Sequence, residues 1–113
     1  MELPRQAALL RIYTEEGRRD GSHALYESIV LKAREAGLAG ATVLRGPMGF
    51  GESAQVHSAK ILDLSANLPL VIEIVDAEPA LRAFADALAA MPAIGLVTLE
   101  KVEVLHDGEG RGG

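Results

Sequence analysis

Apolar residues alternate with other residues in several parts of the chain, and each such part predicts a β-strand. The alternation over residues 7–14 and 68–75 is typical of strands with one buried face. Residues 41–45 and 96–105 predict two further strands. In the last of these, the apolar phase shifts near Glu100, which indicates a bulge or a change of partner strand at that point.

Two other segments repeat their apolar residues at the three- and four-residue spacing of an α-helix. The first is predicted over residues 22–36, with Ser22 as its N-cap and Gly37 as its C-terminal cap. The second follows Asp76, which we expect to cap it, and has Pro79 in its first turn, where proline is tolerated.

The predicted element order is β-α-β-β-α-β, which is typical of the α+β ferredoxin-like fold. In this fold two helices cover one face of a four-stranded antiparallel sheet. We expect one domain over residues 1–105 and a disordered, glycine-rich tail over residues 106–113. The sheet face that the helices leave uncovered, here called the open face, mixes apolar and charged residues. This favours a homo-oligomer over a monomer with one sheet face exposed to water. The predicted members of the open face are Leu9, Arg11, Tyr13, Val43, Arg45, Val71, Glu73 and Val75.

A long connection, residues 46–67, separates the second and third predicted strands, and connections of this length are usually functional or disordered. It starts with three closely spaced glycines, at positions 46, 49 and 51. Their spacing matches neither the Walker A phosphate loop nor the dinucleotide fingerprint. Residues 54–64 fit a helical turn or a short hairpin, and the pattern does not decide between them.

The composition excludes several classes of site and function. The 113 residues include no cysteine and carry a net charge of −5. Without cysteine there is no disulfide framework, thiolate metal site or catalytic thiol. The negative charge and few aromatic residues argue against nucleic-acid binding. No apolar stretch reaches membrane-spanning length, so we expect a soluble protein, and the lack of cysteine fits a location in the reducing cytoplasm. Catalytic motifs are also missing, and we expect a non-enzymatic protein.

Several residues near the long connection are candidates for binding an anion. Arg45 is suited to grip a phosphate or carboxylate with its planar fork, or to pair with Glu73 across the sheet. Lys60 and Lys101 would act as point charges near a cleft. His57 lies in the connection, where a histidine binds metal, senses pH or stacks on a base. The three histidines lack the spacing of a metal motif.

Short motifs along most of the chain resemble the PII-like family known as domain of unknown function group 190. They are Leu-Arg-Ile-Tyr at 10–13, Leu-Tyr-Glu at 25–27, Ala-Gly-Ala-Thr-Val-Leu-Arg-Gly at 39–46, Gly-Phe-Gly at 49–51, His57, Ile-Leu at 61–62, Leu-Ser at 64–65, Leu-Pro at 68–69, Glu-Ile-Val-Asp at 73–76 and Leu-Glu-Lys-Val at 99–102.

This resemblance implies a homotrimer with inward-facing sheets and a long loop that corresponds to the T-loop of PII proteins. It also implies that a small effector, with adenine nucleotides as the leading class, binds between subunits at the base of that loop. The loop would report occupancy to a partner such as a membrane transporter or channel. Nitrogen sensing does not carry over, because the basic loop apex and modified tyrosine of true PII proteins are missing. The expected ligand-binding residues are Arg45, Gly46, Gly49, Phe50, Gly51, His57, Lys60, Glu73 and Lys101.

Two alternatives share the same architecture. One is a divalent-metal-binding tolerance protein that uses His57. The other is a small ferredoxin-like enzyme, for which Glu73, Tyr13 and His57 are the acid–base set. Under the leading hypothesis the protein needs neither a metal nor a cofactor.

Overall fold

The computed structural model describes residues 3–51, 56–58 and 67–108. In chain order, its elements are β1 (Gln6–Glu15), β2 (Arg19–Asp20), β3 (His23–Ala24), α1 (Leu25–Glu35), β4 (Thr42–Arg45), β5 (Met48–Gly49), β6 (His57–Ser58), β7 (Pro69–Asp76), α2 (Glu78–Ala89) and β8 (Val97–Glu103).

Four of the strands form one sheet in the order β4-β7-β1-β8, and every neighbouring pair is antiparallel. This is the split βαβ arrangement of the ferredoxin-like fold. The predicted fold class is therefore confirmed. The four two-residue strands add two small antiparallel pairs, β2 with β3 and β5 with β6. The second pair lies within the long connection.

Both helices pack on the same face of the sheet and bury its alternating apolar residues. Leu10 and Ile12 of β1 and Ile72 and Ile74 of β7 are at most 1% exposed. Full burial of each such side chain stabilises the fold by about 1.5–3 kcal/mol. The helical stripes predicted from the sequence cover them. These stripes are Leu25, Ile29 and Ala33 of α1 and Leu81, Phe84 and Leu88 of α2.

The first helix begins later than the sequence predicts. It starts at Leu25, and Ser22 is not its cap, because His23 pairs with Asp20 in the short β2–β3 hairpin. Hairpin pairing uses an extended backbone that the helix cannot share. The C-terminal prediction is confirmed, since Gly37 follows the helix with a φ of 77°. A left-handed residue at this position is the common helix ending.

Asp76 does not cap the second helix as predicted. It is the last residue of β7, and within the described chain α2 begins after Ala77 without a side-chain cap. The buried carboxylate instead accepts hydrogen bonds from the backbone N–H of Ala39 at 2.8 Å and of Ala77 at 2.7 Å. Asp76 therefore ties the approach to β4 to the start of α2. Pro79 lies in the first helical turn, as predicted.

The predicted bulge or change of partner near Glu100 is wrong. Strand β8 pairs with β1 in one unbroken register from end to end. Leu99 lies opposite Leu10 on the helix-covered face, whereas Val102 lies opposite Ala7 on the open face. The apolar phase shifts because this edge strand carries apolar residues on both faces.

The side chains of strand β4 occupy the opposite faces of the sheet from those that the sequence predicted. Val43 and Arg45 lie opposite residues Ile72 and Leu70, which are buried under the helices, and so share their face. Val43 also packs against the core. Thr42 and Leu44 therefore occupy the open face. Four residues are too few for alternation alone to fix the register, and contact with the core decides it.

The rest of the predicted open face lies where expected, with Arg11 at its centre. Its guanidinium contacts Glu73 through Nε at 3.0 Å and Glu100 through Nη1 at 2.6 Å. The hydrogen bond to Glu73 is the main reason that the pKa of Arg11 lies above its ordinary value. Apolar side chains surround this charged group, namely Leu9, Tyr13, Val71 and Val75.

No helix in the described part of the chain is long and apolar enough to cross a membrane. The tail predicted as disordered falls mainly outside the described residues, which end at 108.

Candidate functional site

A cleft of about 550 Å³ lies at the end of the sheet where β1 stops and β7 and β8 begin. Its volume falls within the range of pockets that bind small molecules, roughly 300–1,000 Å³. The lining combines four parts of the chain that are distant in sequence. These residues are Tyr13, Thr14, Glu15, Arg18, Gly49, Phe50, Gly51, Pro69, Leu70, Val71, Ile94, Gly95 and Leu96.

Two aromatic side chains give the cleft flat apolar surfaces. Tyr13 comes from the open face of β1 and is 38% exposed. Phe50 follows β5 in the long connection and is 70% exposed, which is unusual for a large apolar side chain. Aromatic faces of this kind stack on planar ligand groups such as nucleobases.

The segment between α2 and β8 forms the opposite wall and lies directly against the backbone of β1. A Cβ atom placed on Gly95 would lie 2.6 Å from the carbonyl oxygen of Tyr13, so only glycine fits there. The Tyr13 N–H donates to the Leu96 carbonyl at 2.9 Å, which holds the two backbones together. Two residues before Gly95, Ala93 has a φ of 70°, a left-handed conformation uncommon for alanine.

Arg18 is the cation among the described residues of the lining. Its Nη1 donates to the Ala93 carbonyl at 2.7 Å, and its Nε lies 3.4 Å from Glu15 Oε1, a long contact for an ion pair. The side chain is 24% exposed. The planar donor group of an arginine is suited to bind a phosphate or a carboxylate.

Thr14 adds a hydroxyl to the same lining. Among the residues that the structure describes, its Oγ1 is buried without a hydrogen-bond partner. Buried polar atoms are nearly always paired, and a hydroxyl both donates and accepts hydrogen bonds. The cleft can therefore pair an apolar, planar group with Tyr13 and Phe50 and an anionic group with Arg18.

Three of the nine predicted ligand-binding residues, Gly49, Phe50 and Gly51, line this cleft. Gly46 lies beside it and donates its N–H to the Pro69 carbonyl at 2.8 Å. A Cβ atom at either Gly46 or Gly49 would lie 3.1 Å from the ring of Pro69. Close packing against this proline therefore accounts for both glycines.

The predicted charged residues are dispersed. Arg45 pairs with Glu16, whose Oε2 lies 2.7 Å from its Nη2, and so does not take the alternative partner Glu73. Glu73 lies on the open face with Arg11. Lys101 lies opposite Ala8 in β1, on the helix-covered face. That position is about 17 Å along the strand from Tyr13, at roughly 3.4 Å per residue.

The side chains of two predicted residues lie outside the described part of the structure. His57 pairs through its backbone with Gly49 in the β5–β6 hairpin, but its side chain is not described. Lys60 lies outside the described residues altogether. The hairpin is one of the two possibilities considered for this region, although it reaches back to Met48. Within the described ranges, no three His, Cys, Asp or Glu side chains are grouped to hold a metal ion.

The sequence model of the DUF190 family, described as "Uncharacterized ACR", matches residues 7–104. The chain belongs to this family. A UPF0166 protein of Aquifex aeolicus is 37% identical over 98 residues, which cover 87% of this chain and 92% of the relative. A UPF0166 protein of Methanocaldococcus jannaschii is 38% identical over 73 residues, covering 65% of this chain and 67% of the relative.

Solved structures with the same fold include PII-like proteins. A protein of Thermus thermophilus described as PII-like has a TM-score of 0.66 and 19% identity, covering 93% of the DUF190 chain and 94% of its own. CPII, a nitrogen regulatory PII-like protein of Thiomonas intermedia bound to ADP, AMP and bicarbonate, has a TM-score of 0.60 and 18% identity, with 89% and 90% covered. At these identities the likeness establishes the fold.

The prediction missed the cleft residues outside the long connection of this DUF190 chain. Arg18 lies between the first predicted strand and the first predicted helix, and nothing in the sequence around it indicates a ligand site. Thr14 was predicted only as a strand residue, and Tyr13 was a candidate site residue only in the enzyme alternative. Gly95 carried a usable signal, since it stands between a helix and a strand, where a glycine often marks a close backbone approach.

Proposed function

We propose that this DUF190 protein is a non-enzymatic regulator that binds an adenine nucleotide in the cleft at the end of the sheet. The observation that carries the proposal is the composition of the cleft. It combines two exposed aromatic rings and an anchored arginine with a segment of the long connection. A base would stack on Phe50 and Tyr13 while its phosphates contact Arg18. CPII, which has the same fold, binds adenine nucleotides, and this supports the choice of ligand.

The regulatory part of the proposal follows from the position of Phe50. Because it lies in the long connection, a ligand that contacts it favours the conformations of residues 46–67 that place it at the cleft. A partner protein, such as a membrane transporter or channel, would distinguish these conformations from the others. We further propose that three copies associate through their open sheet faces, around Arg11, and that each cleft is completed by a neighbouring subunit.

Isothermal titration calorimetry with ADP, AMP, ATP and GDP tests the ligand site. We expect adenine nucleotides to bind and the Arg18→Ala variant to weaken ADP binding about 10- to 100-fold, because a hydrogen bond to a charged group contributes about 1.5–3 kcal/mol. Phe50→Ala should weaken it about 5-fold or more, since stacking contributes roughly 1–3 kcal/mol per base. Arg34→Ala and Leu31→Ala are matched controls, because both side chains are exposed on α1 and do not line the cleft.

Two results would overturn the proposed ligand site. No binding of any nucleotide at millimolar concentration would remove the effector. ADP binding that is unchanged in both Arg18→Ala and Phe50→Ala would place the site elsewhere. Nucleotide recovered unaltered after long incubation supports a non-enzymatic role, whereas hydrolysis products would contradict it. Light scattering after size exclusion should give three times the mass of one chain; a monomer would refute the inter-subunit part.

A further inference from the structure

The turn between β1 and β2 forms hydrogen bonds with residues 67–68, where the long connection returns to the sheet. The N–H of Glu16 donates to the Leu68 carbonyl at 3.0 Å, and the Leu68 N–H donates back to Oε1 of the same glutamate at 3.2 Å. The N–H of Gly17 donates to Oδ1 of Asn67 at 2.5 Å. Three hydrogen bonds therefore join two adjacent turn residues to two adjacent residues before β7.

Glu16 also forms an ion pair at residue 45, where the long connection leaves the sheet. Its second oxygen, Oε2, lies 2.7 Å from Nη2 of Arg45, the last residue of β4. Glu16 is mostly buried, with 26% of its side chain exposed, whereas Arg45 is 64% exposed. One carboxylate thus bridges residue 45, where the connection leaves the sheet, and residue 68, where it returns. We call residues 45–46 and 67–68 the loop ends.

The other two residues of this turn face the cleft. Glu15 and Arg18 both belong to its lining, and Arg18 also donates to Ala93 on the opposite wall. The turn is short, with a backbone hydrogen bond from the Arg18 N–H to the Glu15 carbonyl at 3.3 Å. Glu16 and Gly17 therefore lie in a hydrogen-bonded turn, between the two residues that line the cleft.

We propose that the turn of residues 15–18 couples the cleft to both loop ends. An anion that binds Arg18 orders the turn. The ordered turn strengthens the ion pair of Glu16 with Arg45 and its hydrogen bonds with Leu68. This inference rests on the proposed nucleotide site and specifies its regulation. Because coupling between two equilibria is reciprocal, weakening the hold of Glu16 must also weaken nucleotide binding, although Glu16 does not line the cleft.

Hydrogen exchange followed by mass spectrometry, together with calorimetry, tests this coupling in the full chain. In Glu16→Gln, the amide can still accept from Leu68 but loses its charge opposite Arg45. We expect ADP to slow exchange at Gly46 and Leu68 in the wild type. In Glu16→Gln without ADP, these amides should exchange about 5-fold faster, and ADP should bind about 5-fold more weakly, the lower end of typical coupling.

Arg45→Gln removes the same ion pair from its exposed side, so it provides a second variant if Glu16→Gln does not fold. Glu103→Gln is the matched control. It breaks a comparable surface ion pair, with Arg5 at 2.8 Å, at the other end of the sheet, and should change neither measurement.

The outcomes separate the two proposals. If the wild type binds no nucleotide, the proposed function fails and the coupling fails with it. If the wild type binds ADP through Arg18 but Glu16→Gln and Arg45→Gln bind it equally well, only the coupling is refuted. Unchanged exchange at the loop ends on adding ADP refutes the coupling in the same way.

Discussion

Gly95→Ala tests whether the cleft wall lies as close to the sheet as the structure shows. The added Cβ atom would lie 2.6 Å from the Tyr13 carbonyl oxygen and 3.7 Å from its carbonyl carbon. A Cβ atom essentially never approaches another heavy atom within 3.0 Å. The neighbour is backbone of a central strand, hydrogen-bonded to β7 and β8, and no side-chain rotation relieves the contact.

The expected cost is that of overpacking an ordered region, about 1–3 kcal/mol in the free energy of unfolding. This is a large part of the roughly 5–15 kcal/mol that stabilises a typical domain. Replacing glycine by alanine also restricts the unfolded chain, which by itself stabilises the protein by about 0.4–1 kcal/mol. A matched variant removes this second effect.

Gly40→Ala is that matched variant. A Cβ atom at position 40 meets nothing within 4 Å, and the φ of Gly40 lies outside the left-handed range. Its unfolded-state effect is the same, so the difference between the two variants measures the contact with Tyr13 alone. Urea unfolding of both variants and the wild type, at one protein concentration, should place Gly95→Ala about 1–3 kcal/mol below Gly40→Ala. Equal free energies of unfolding would show that the wall does not touch β1.

Three further predictions concern other parts of the molecule. The hydrogen bond from Arg82, together with the charges of Arg82 and Lys101, lowers the pKa of Glu78. The stability that this carboxylate contributes is therefore present above its ordinary pKa of about 4.3 and is lost as the pH falls through the lowered value. The difference in the free energy of unfolding between wild type and Glu78→Gln should shrink in that acidic range, and a constant difference would refute this link. Gly37→Ala should lower the free energy of unfolding by about 1–2 kcal/mol, because alanine is strained at a φ of 77°; an unchanged urea midpoint would contradict this. Calorimetry with Cu²⁺ and Zn²⁺ should show no stoichiometric site that depends on His57, and a site abolished by His57→Ala would favour the metal-tolerance alternative.

The sequence predicted the fold well because long, regular patterns report burial directly. Strands β1 and β7 alternate over their whole length, and both helices carry continuous apolar stripes, so their buried faces were identified correctly. Two of the errors lie in short elements. Strand β4 has four residues, and only its contact with Ile72 shows which face Val43 occupies. The two-residue pairing of His23 with Asp20 displaced the start of α1, and no local pattern reports a pairing this short.

The candidate site was predicted only in part, for a related reason. Glycines and Phe50 mark the long connection as special, and three of these residues do line the cleft. The charged partners were chosen because they are near the glycines in sequence or lie on a strand. Arg45 instead pairs with Glu16, a residue 29 positions away along the chain, with the two side chains 2.7 Å apart. Such a contact depends on tertiary structure and leaves no periodic signal.

The arrangement of the two arginines explains why a small turn has so many contacts. Arg45 is neutralised by Glu16 outside the cleft, and Arg18, two residues after Glu16, lies inside it. An anion in the cleft therefore contacts Arg18 directly, and it affects Arg45 only indirectly, through the turn. If Arg45 bound the ligand itself, Arg45→Gln would weaken ADP binding as strongly as Arg18→Ala, and Glu16→Gln would strengthen it by releasing Arg45. The coupling proposal predicts the opposite sign for Glu16→Gln, so the direction of that one change in affinity distinguishes a ligand-binding Arg45 from an Arg45 that holds the loop end.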